Sequence, residues 1–187
     1  MDTTTLVILL VIVILIAYMI TLYNRLISLK TNRENAFSDI DVQLKLRFDL
    51  IPNIVNTVKW YAKHEKDVLK QVMEARTGFM NAKTIDGKVA ANNELSGALK
   101  TLFAVAEAYP ELKANQNFLN LQEELSDIEN KLAAARRYFN SATKEYNIAV
   151  QTFPSVLIAK TCGFTTYEYF ELDDPEEKKA PKVEFDE

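Results

Sequence analysis

The chain has one cysteine, one histidine, four glycines and five prolines in 187 residues. The lone Cys162 excludes an intramolecular disulfide and any cysteine-based zinc cluster. The lone histidine removes most catalytic and metal-binding devices at once. His64-Glu65 opens like the zincin H-E-x-x-H, but the fifth position is Val68, so zinc hydrolysis by that motif is excluded. A ferritin-like di-iron site needs two E-x-x-H pairs, which one histidine cannot supply. A Ser-His-Asp or Cys-His device would have to recruit His64 as its base, and no G-x-S-x-G elbow accompanies a serine. Gly78, Gly87, Gly97 and Gly163 form no phosphate loop. Paired carboxylates such as Glu123-Glu124 read as solvated faces. A net charge of −4 argues against nucleic-acid binding by the whole chain. The expectation is a protein that is not an enzyme and has no catalytic residue, cofactor or metal.

Against these scarcities stand plentiful Ala, Leu, Glu and Lys, the composition of a helical protein. Residues 6–22, LVILLVIVILIAYMITL, carry no charge, glycine or proline. Seventeen helical residues cover ~25 Å, close to the ~30 Å hydrocarbon thickness of a bilayer. A cleaved signal peptide would need a basic start and a small-residue cleavage site. The stretch instead follows MDTTT, with no A-x-A pattern, so an uncleaved anchor is the better reading. Asp2 precedes it, and Arg25, Lys30 and Arg33 follow it. The positive-inside rule then places the N-terminus outside and the following domain in the cytoplasm.

Past the anchor the apolar period is helical. Alternating steps of four and three from Leu26 run through Phe37, Ile40, Leu44, Ile51, Ile54, Val58 and Tyr61 to Val68, Val72, Ala75 and Phe79. Of the sixteen positions on this seam, Lys30, Arg33, Arg47 and Glu65 are charged. No glycine or proline separates the seam from the anchor, so one rigid rod is expected. Pro52 interrupts it. Asp49 could cap a new helix there. The seam keeps its phase, however, and a kink is favoured over a hairpin reversal. The first true loop is expected at 83–88, with Asp86-Gly87 as turn signal. A short second helix is expected from about 89 to 108, and a turn from Pro110 to Asn115.

The third helix gives the cleanest pattern. Phe118, Leu121, Leu125, Ile128, Leu132, Ala135, Phe139, Ala142, Tyr146, Ala149 and Phe153 repeat every 3.5 residues, which predicts left-handed, coiled-coil-like packing. Large residues on a facing helix should fill opposite the alanines. Pro154 stops or kinks this rod. The aromatic-rich piece through Phe164, Tyr167, Tyr169 and Phe170 packs on the bundle, binds a partner or touches the membrane surface, with core packing favoured. From Glu171 the chain is acidic and reads as a solvated, disordered tail. The organisation is thus 1–5 as a short lead, 6–22 as a transmembrane helix, 23–170 as a helical bundle and 171–187 as a tail. The fold class is all-α, an anchor continuing into an antiparallel up-and-down bundle of three to four long helices. Arg33 and Arg47 on the apolar face, with Glu107 and Arg136 beside the other seams, are expected to form interhelical ion pairs.

Several motifs occur in a fixed order: FSDIDVQLK from Phe37, RFDLIPN from Arg47, YAKHE from Tyr61 and AVAEAYPELKAN from Ala104. They are followed by Asn117-Phe118, Glu129-Asn130, Ala135-Arg136, the YFN run from Tyr138, Phe153-Pro154 and Gly163-Phe164. Together they resemble the bacterial LemA family over roughly residues 23–170, with Phe37 where many relatives carry Trp. The resemblance implies a small single-pass membrane protein with a helical bundle and adds no catalytic residue. Magnetosome-associated relatives imply a part in membrane organisation. Its fixed points fall on Asp39, Asp41, Arg47, Asp49, Pro52, Glu107, Pro110, Asn115 and Arg136. Most of these read as caps, turn formers or ion-pair partners. The expected partners are the lipid bilayer, further copies of the chain as a homo-oligomer, and a membrane-protein partner, with no nucleic acid. The expected function is a membrane-organising scaffold. The alternative is an adaptor or regulator of another membrane complex, a protease or transporter.

Overall fold

A computed structural model describes residues 2–170, apart from the Asp86 side chain. The expected acidic tail lies outside the described residues. All regular structure among them is α-helical: α1 (Thr3–Tyr61), α2 (Lys66–Asn81), α3 (Ile85–Ala106), α4 (Pro110–Lys113), α5 (Gln116–Gln151) and α6 (Ser155–Cys162). α1 contains a window long and apolar enough to cross a membrane, and none of that window is buried by the rest of the protein. A core helix of a soluble protein would have been covered.

The described chain divides into two compact units. The first takes residues 2–45 and 127–169. In it α1 and α5 run antiparallel, with Arg33 against Thr143 and Phe37 against Phe139. Leu26, Tyr146, Ala149, Val150 and Ala159 form a buried cluster, flanked by Leu29, Ile158, Phe164 and Tyr167. Leu26 thus fills the space beside Ala149, as the alternation of large and small residues requires. The aromatic segment after α6 packs on this bundle. Phe164 meets Tyr23 edge to face at 5.8 Å, and Tyr167 lies 5.2 Å from Tyr146. Gly163 ends α6 in the left-handed conformation (φ 74°), which a residue without Cβ adopts without strain.

The second unit takes residues 46–126 and Phe170. Here α1, α2, α3 and α5 alternate in direction. Phe48 stacks on Phe79 at 3.9 Å, and Phe103 meets Phe118 at 6.2 Å. The core is Phe48, Ile51, Ile54, Val58, Leu95, Leu99, Leu102 and Phe118. Each large apolar side chain so buried contributes roughly 1.5–3 kcal/mol.

At Pro52 there is no reversal, as favoured: α1 runs through Asp49 and Pro52 to Tyr61, so Asp49 caps no new helix. Three expectations need correction. The reversal falls at residues 62–65, before the loop expected at 83–88. Ala62, small and fully buried, lets the corner close, and Leu69, not Val68, is the buried residue that opens the next stripe. Asp86-Gly87 is not a loop tip but part of the first turn of α3. The Thr84 hydroxyl accepts from the Gly87 N–H at 3.1 Å and caps that helix. Phe153, expected to close the seam of α5, lies beyond the helix end and is 80% exposed.

Candidate functional site

Two buried guanidinium groups hold the interiors of the two units. In the first, Arg33 is 6% exposed. Its Nε donates to Thr143 Oγ1 at 3.2 Å, and its guanidinium lies over Phe139 (4.7 Å) and Tyr167 (4.0 Å). Two rings and a hydroxyl compensate part of its lost hydration. Burial is the first cause that raises the Tyr146 phenol above its ordinary value, and Tyr167 adds to it while Arg33 opposes. In the second unit Arg47 is 4% exposed. Its Nη1 donates to Asn92 Oδ1 at 2.5 Å and to Ser96 Oγ at 3.1 Å, tying α1 to α3. Neutral amide, hydroxyl and aromatic groups are thus among the partners of both arginines.

The open site lies in the second unit, at the C-terminal end of α1. A cleft of about 1010 Å³ is bounded by the α1 end, the reversal after it and the α3–α4–α5 connection. Each wall is positioned by a polar contact. Asn115 caps α5, its Oδ1 accepting from the Phe118 N–H at 3.0 Å, while its Nδ2 donates to Tyr61 Oη at 2.9 Å. Tyr109 Oη donates to Glu65 Oε1 at 3.1 Å, locking the α1–α2 corner to the end of α3. Desolvation raises the Tyr109 pKa first, and the Glu65 hydrogen bond and negative charge raise it further. Pro110 starts the single turn of α4, where its missing N–H costs nothing. Glu107 pairs with Lys113 across that turn.

Trp60, the sole tryptophan, borders this cleft and is 77% exposed. His64, Lys63 and Asn117 complete a rim that offers stacking and hydrogen bonding. Among the described residues no group of three or more His, Cys, Asp and Glu side chains is placed to hold a metal ion.

The nine candidate residues separate on this geometry. Glu107, Pro110 and Asn115 gather at the α3–α4–α5 connection, and Pro110 and Asn115 line the cleft itself. Arg47 is buried in the interior of the second unit, and Pro52 lies half-buried within α1. Asp39 and Asp49 are exposed on α1; Asp41 is half-buried there, as is Arg136 on α5. The structure therefore does not bring all nine together. Sequence reasoning missed Trp60, Asn92, Ser96 and Thr143, and it placed Tyr167 on the bundle without its contact to Arg33. Trp60 adjoins the YAKHE motif, and its lone occurrence was a usable signal; the polar partners of the arginines carried none.

The segments that converge on the cleft are 61–65 and 104–118, which are family motifs. The LemA family model matches residues 36–185. The chain belongs to the LemA family. Among its relatives, Magnetosome protein MamQ of Magnetospirillum gryphiswaldense is 25% identical over 185 residues, covering 83% of this chain and 68% of that protein. Magnetosome protein MamQ 2 of Paramagnetospirillum magneticum is 23% identical, covering 86% and 68%. Protein LemA of Metamycoplasma hominis is 24% identical over 157 residues, covering 82% and 70%.

Proposed function

We propose that this LemA-family chain is a membrane-anchored, non-enzymatic helical scaffold that self-associates and organises the bilayer around it. The observation that carries this reading is α1, unbroken from Thr3 through the apolar stretch into the packed interior of the first unit. A helix clamped at Leu26 by α5 and α6 cannot swivel freely on its anchor. Lateral packing of such bundles would therefore set the spacing and tilt of many anchors. Similarity to proteins named for the magnetosome supports a part in organising a membrane structure. Crosslinking of the full chain in proteoliposomes should give a ladder of homo-oligomers. A clean monomer at high membrane density would overturn the reading.

The bundle faces the cytoplasm and the N-terminus lies outside, on the charge asymmetry around the anchor. Arg33 counts in that asymmetry although it is buried in the fold, because insertion precedes bundle formation. Cys162 is a free, exposed thiol and reports the side directly. A membrane-impermeant maleimide should leave it unlabelled in intact spheroplasts and label it after lysis.

One observation favours a second reading, an adaptor for another membrane complex. Trp60 stands exposed beside a wide cleft with a polar rim, an arrangement suited to anchoring a partner segment. Affinity capture of the full chain separates the two readings. Recovery mainly of itself favours the scaffold, and a stoichiometric foreign membrane protein lost in Trp60→Ala favours the adaptor.

A further inference from the structure

We infer that Phe153 and Leu157 form a hydrophobic wedge that inserts into the lipid headgroup region beside the anchor, giving the first unit a second grip on the bilayer. The inference rests on the anchor reading of α1 and concerns residues far from it in sequence.

The register of the antiparallel pair sets the geometry. Arg33 opposes Thr143 and Phe37 opposes Phe139. Each residue back along α1 is one residue forward along α5, so Val150 and Gln151 at the end of α5 come level with Leu26 and Arg25. Two contacts agree with this: Leu26 shares a cluster with Val150 and Ala159, and Tyr23 meets Phe164. The apolar stretch ends at Leu22. At ~1.5 Å per residue, Tyr23 to Leu26 occupy the first ~6 Å beyond it. That matches the roughly 5–7 Å of headgroup region on each side of the hydrocarbon core. α6 therefore lies at headgroup depth whenever residues 6–22 span a bilayer.

At that level the protein exposes what water-facing surfaces avoid. Phe153, in the turn before α6, is 80% exposed, and Leu157 on α6 is 58% exposed. Meanwhile Ser155 and Ala159 turn the opposite side of α6 inward. Arg25 on α1 and Lys160 in the last turn of α6 are exposed at the same level. Two apolar side chains with cations beside them suit a lipid surface: the apolar groups enter the acyl boundary and the cations meet phosphates. The occupant is thus the leaflet from which α1 emerges, continuous with the anchor's own lipid contact.

Single-tryptophan reporters in the full chain test this. In a Trp60→Phe background, Phe153→Trp is placed in phosphatidylglycerol/phosphatidylcholine vesicles with nitroxide lipids labelled near the headgroup or deep in the chain. Ile14→Trp serves as the anchor reporter and Leu157→Trp as an independent wedge reporter. The wedge predicts blue-shifted emission for Phe153→Trp and Leu157→Trp, quenched more by the shallow label. Ile14→Trp should be quenched more by the deep one. Water-like, unquenched emission at both wedge positions, with Ile14→Trp quenched, overturns the wedge and leaves the anchor standing. Blue-shifted emission without quenching shows a protein surface there, a second copy or another chain, and also overturns it. No quenching at any position overturns the anchor and the wedge with it.

Discussion

Arg76 donates a hydrogen bond from its Nε to the carbonyl oxygen of Phe48, 3.2 Å away. Phe48 lies four residues before Pro52, whose ring nitrogen has no hydrogen to give it. The guanidinium from α2 thus serves the acceptor that a helix-interior proline leaves open. α1 continues through Pro52 with that carbonyl satisfied.

Arg76→Met should therefore destabilise the protein by about 1–3 kcal/mol, the cost of stranding a partly buried acceptor. In a Pro52→Ala background the helical bond forms and the same substitution should cost less. Urea denaturation of the four proteins gives the coupling. Equal costs in both backgrounds would show that the carbonyl is not what Arg76 serves.

Asn92→Leu removes a 2.5 Å hydrogen bond from the buried Arg47 guanidinium and should cost about 1.5–3 kcal/mol, as for hydrogen bonds to charged groups. Combining it with Arg47→Met replaces the polar pair by apolar groups of similar size. The double variant should recover part of that loss. Thermal unfolding checks the order, and crosslinking in membranes checks assembly separately from folding.

Asn147 holds the segment after α6 from both sides. Its Nδ2 donates to the Tyr167 carbonyl at 2.8 Å, and its Oδ1 accepts from the Tyr167 N–H at 2.9 Å. Asn147→Leu should release residues 164–169 and loosen Tyr167 from the Arg33 guanidinium. Hydrogen exchange should rise there by more than tenfold if the two bonds are worth about 1.4 kcal/mol or more together. Unchanged protection at Tyr167 would show that ring packing alone holds the segment.

Tyr109 gives a pH dependence of definite sign. Its folded pKa is raised above the ordinary 10.0 by desolvation first and by the Glu65 carboxylate second. Well below pH 10 the phenol is protonated in folded and unfolded chains alike, and its contribution is fully present. As pH rises past 10 the unfolded chain loses the proton first, so stability falls until the folded phenol titrates. Tyr109→Phe should lower stability at neutral pH and flatten this alkaline decline. A decline of the same steepness in the variant would assign it to other groups.

The long apolar N-terminal helix, the helical class and the period of α5 were all legible because each rests on a regularity within one segment. Phe118, Leu125, Ile128, Leu132, Phe139, Ala142, Tyr146 and Ala149 are buried at the positions their spacing indicates. The reversal at 62–65 was not legible, since neither glycine nor proline marks it and the apolar seam reads straight across. The candidate cleft was half legible. The motifs at 61–65 and 104–118 were visible, but nothing in their order says that Tyr61 meets Asn115 or that Glu65 meets Tyr109.

The amino-acid sequence by itself determined that this chain makes helices, that one stretch suits a bilayer, and which face of α5 turns inward. Hydrophobic periodicity and chain composition act locally, so a linear reading captures them. Only the tertiary structure decided what the buried arginines touch, how the Phe48 carbonyl survives Pro52, and that Tyr23 meets Phe164. Those outcomes depend on which groups lie within hydrogen-bonding or van der Waals reach after the helices pack. Such groups can be a hundred or more residues apart, as Arg33 and Thr143 are.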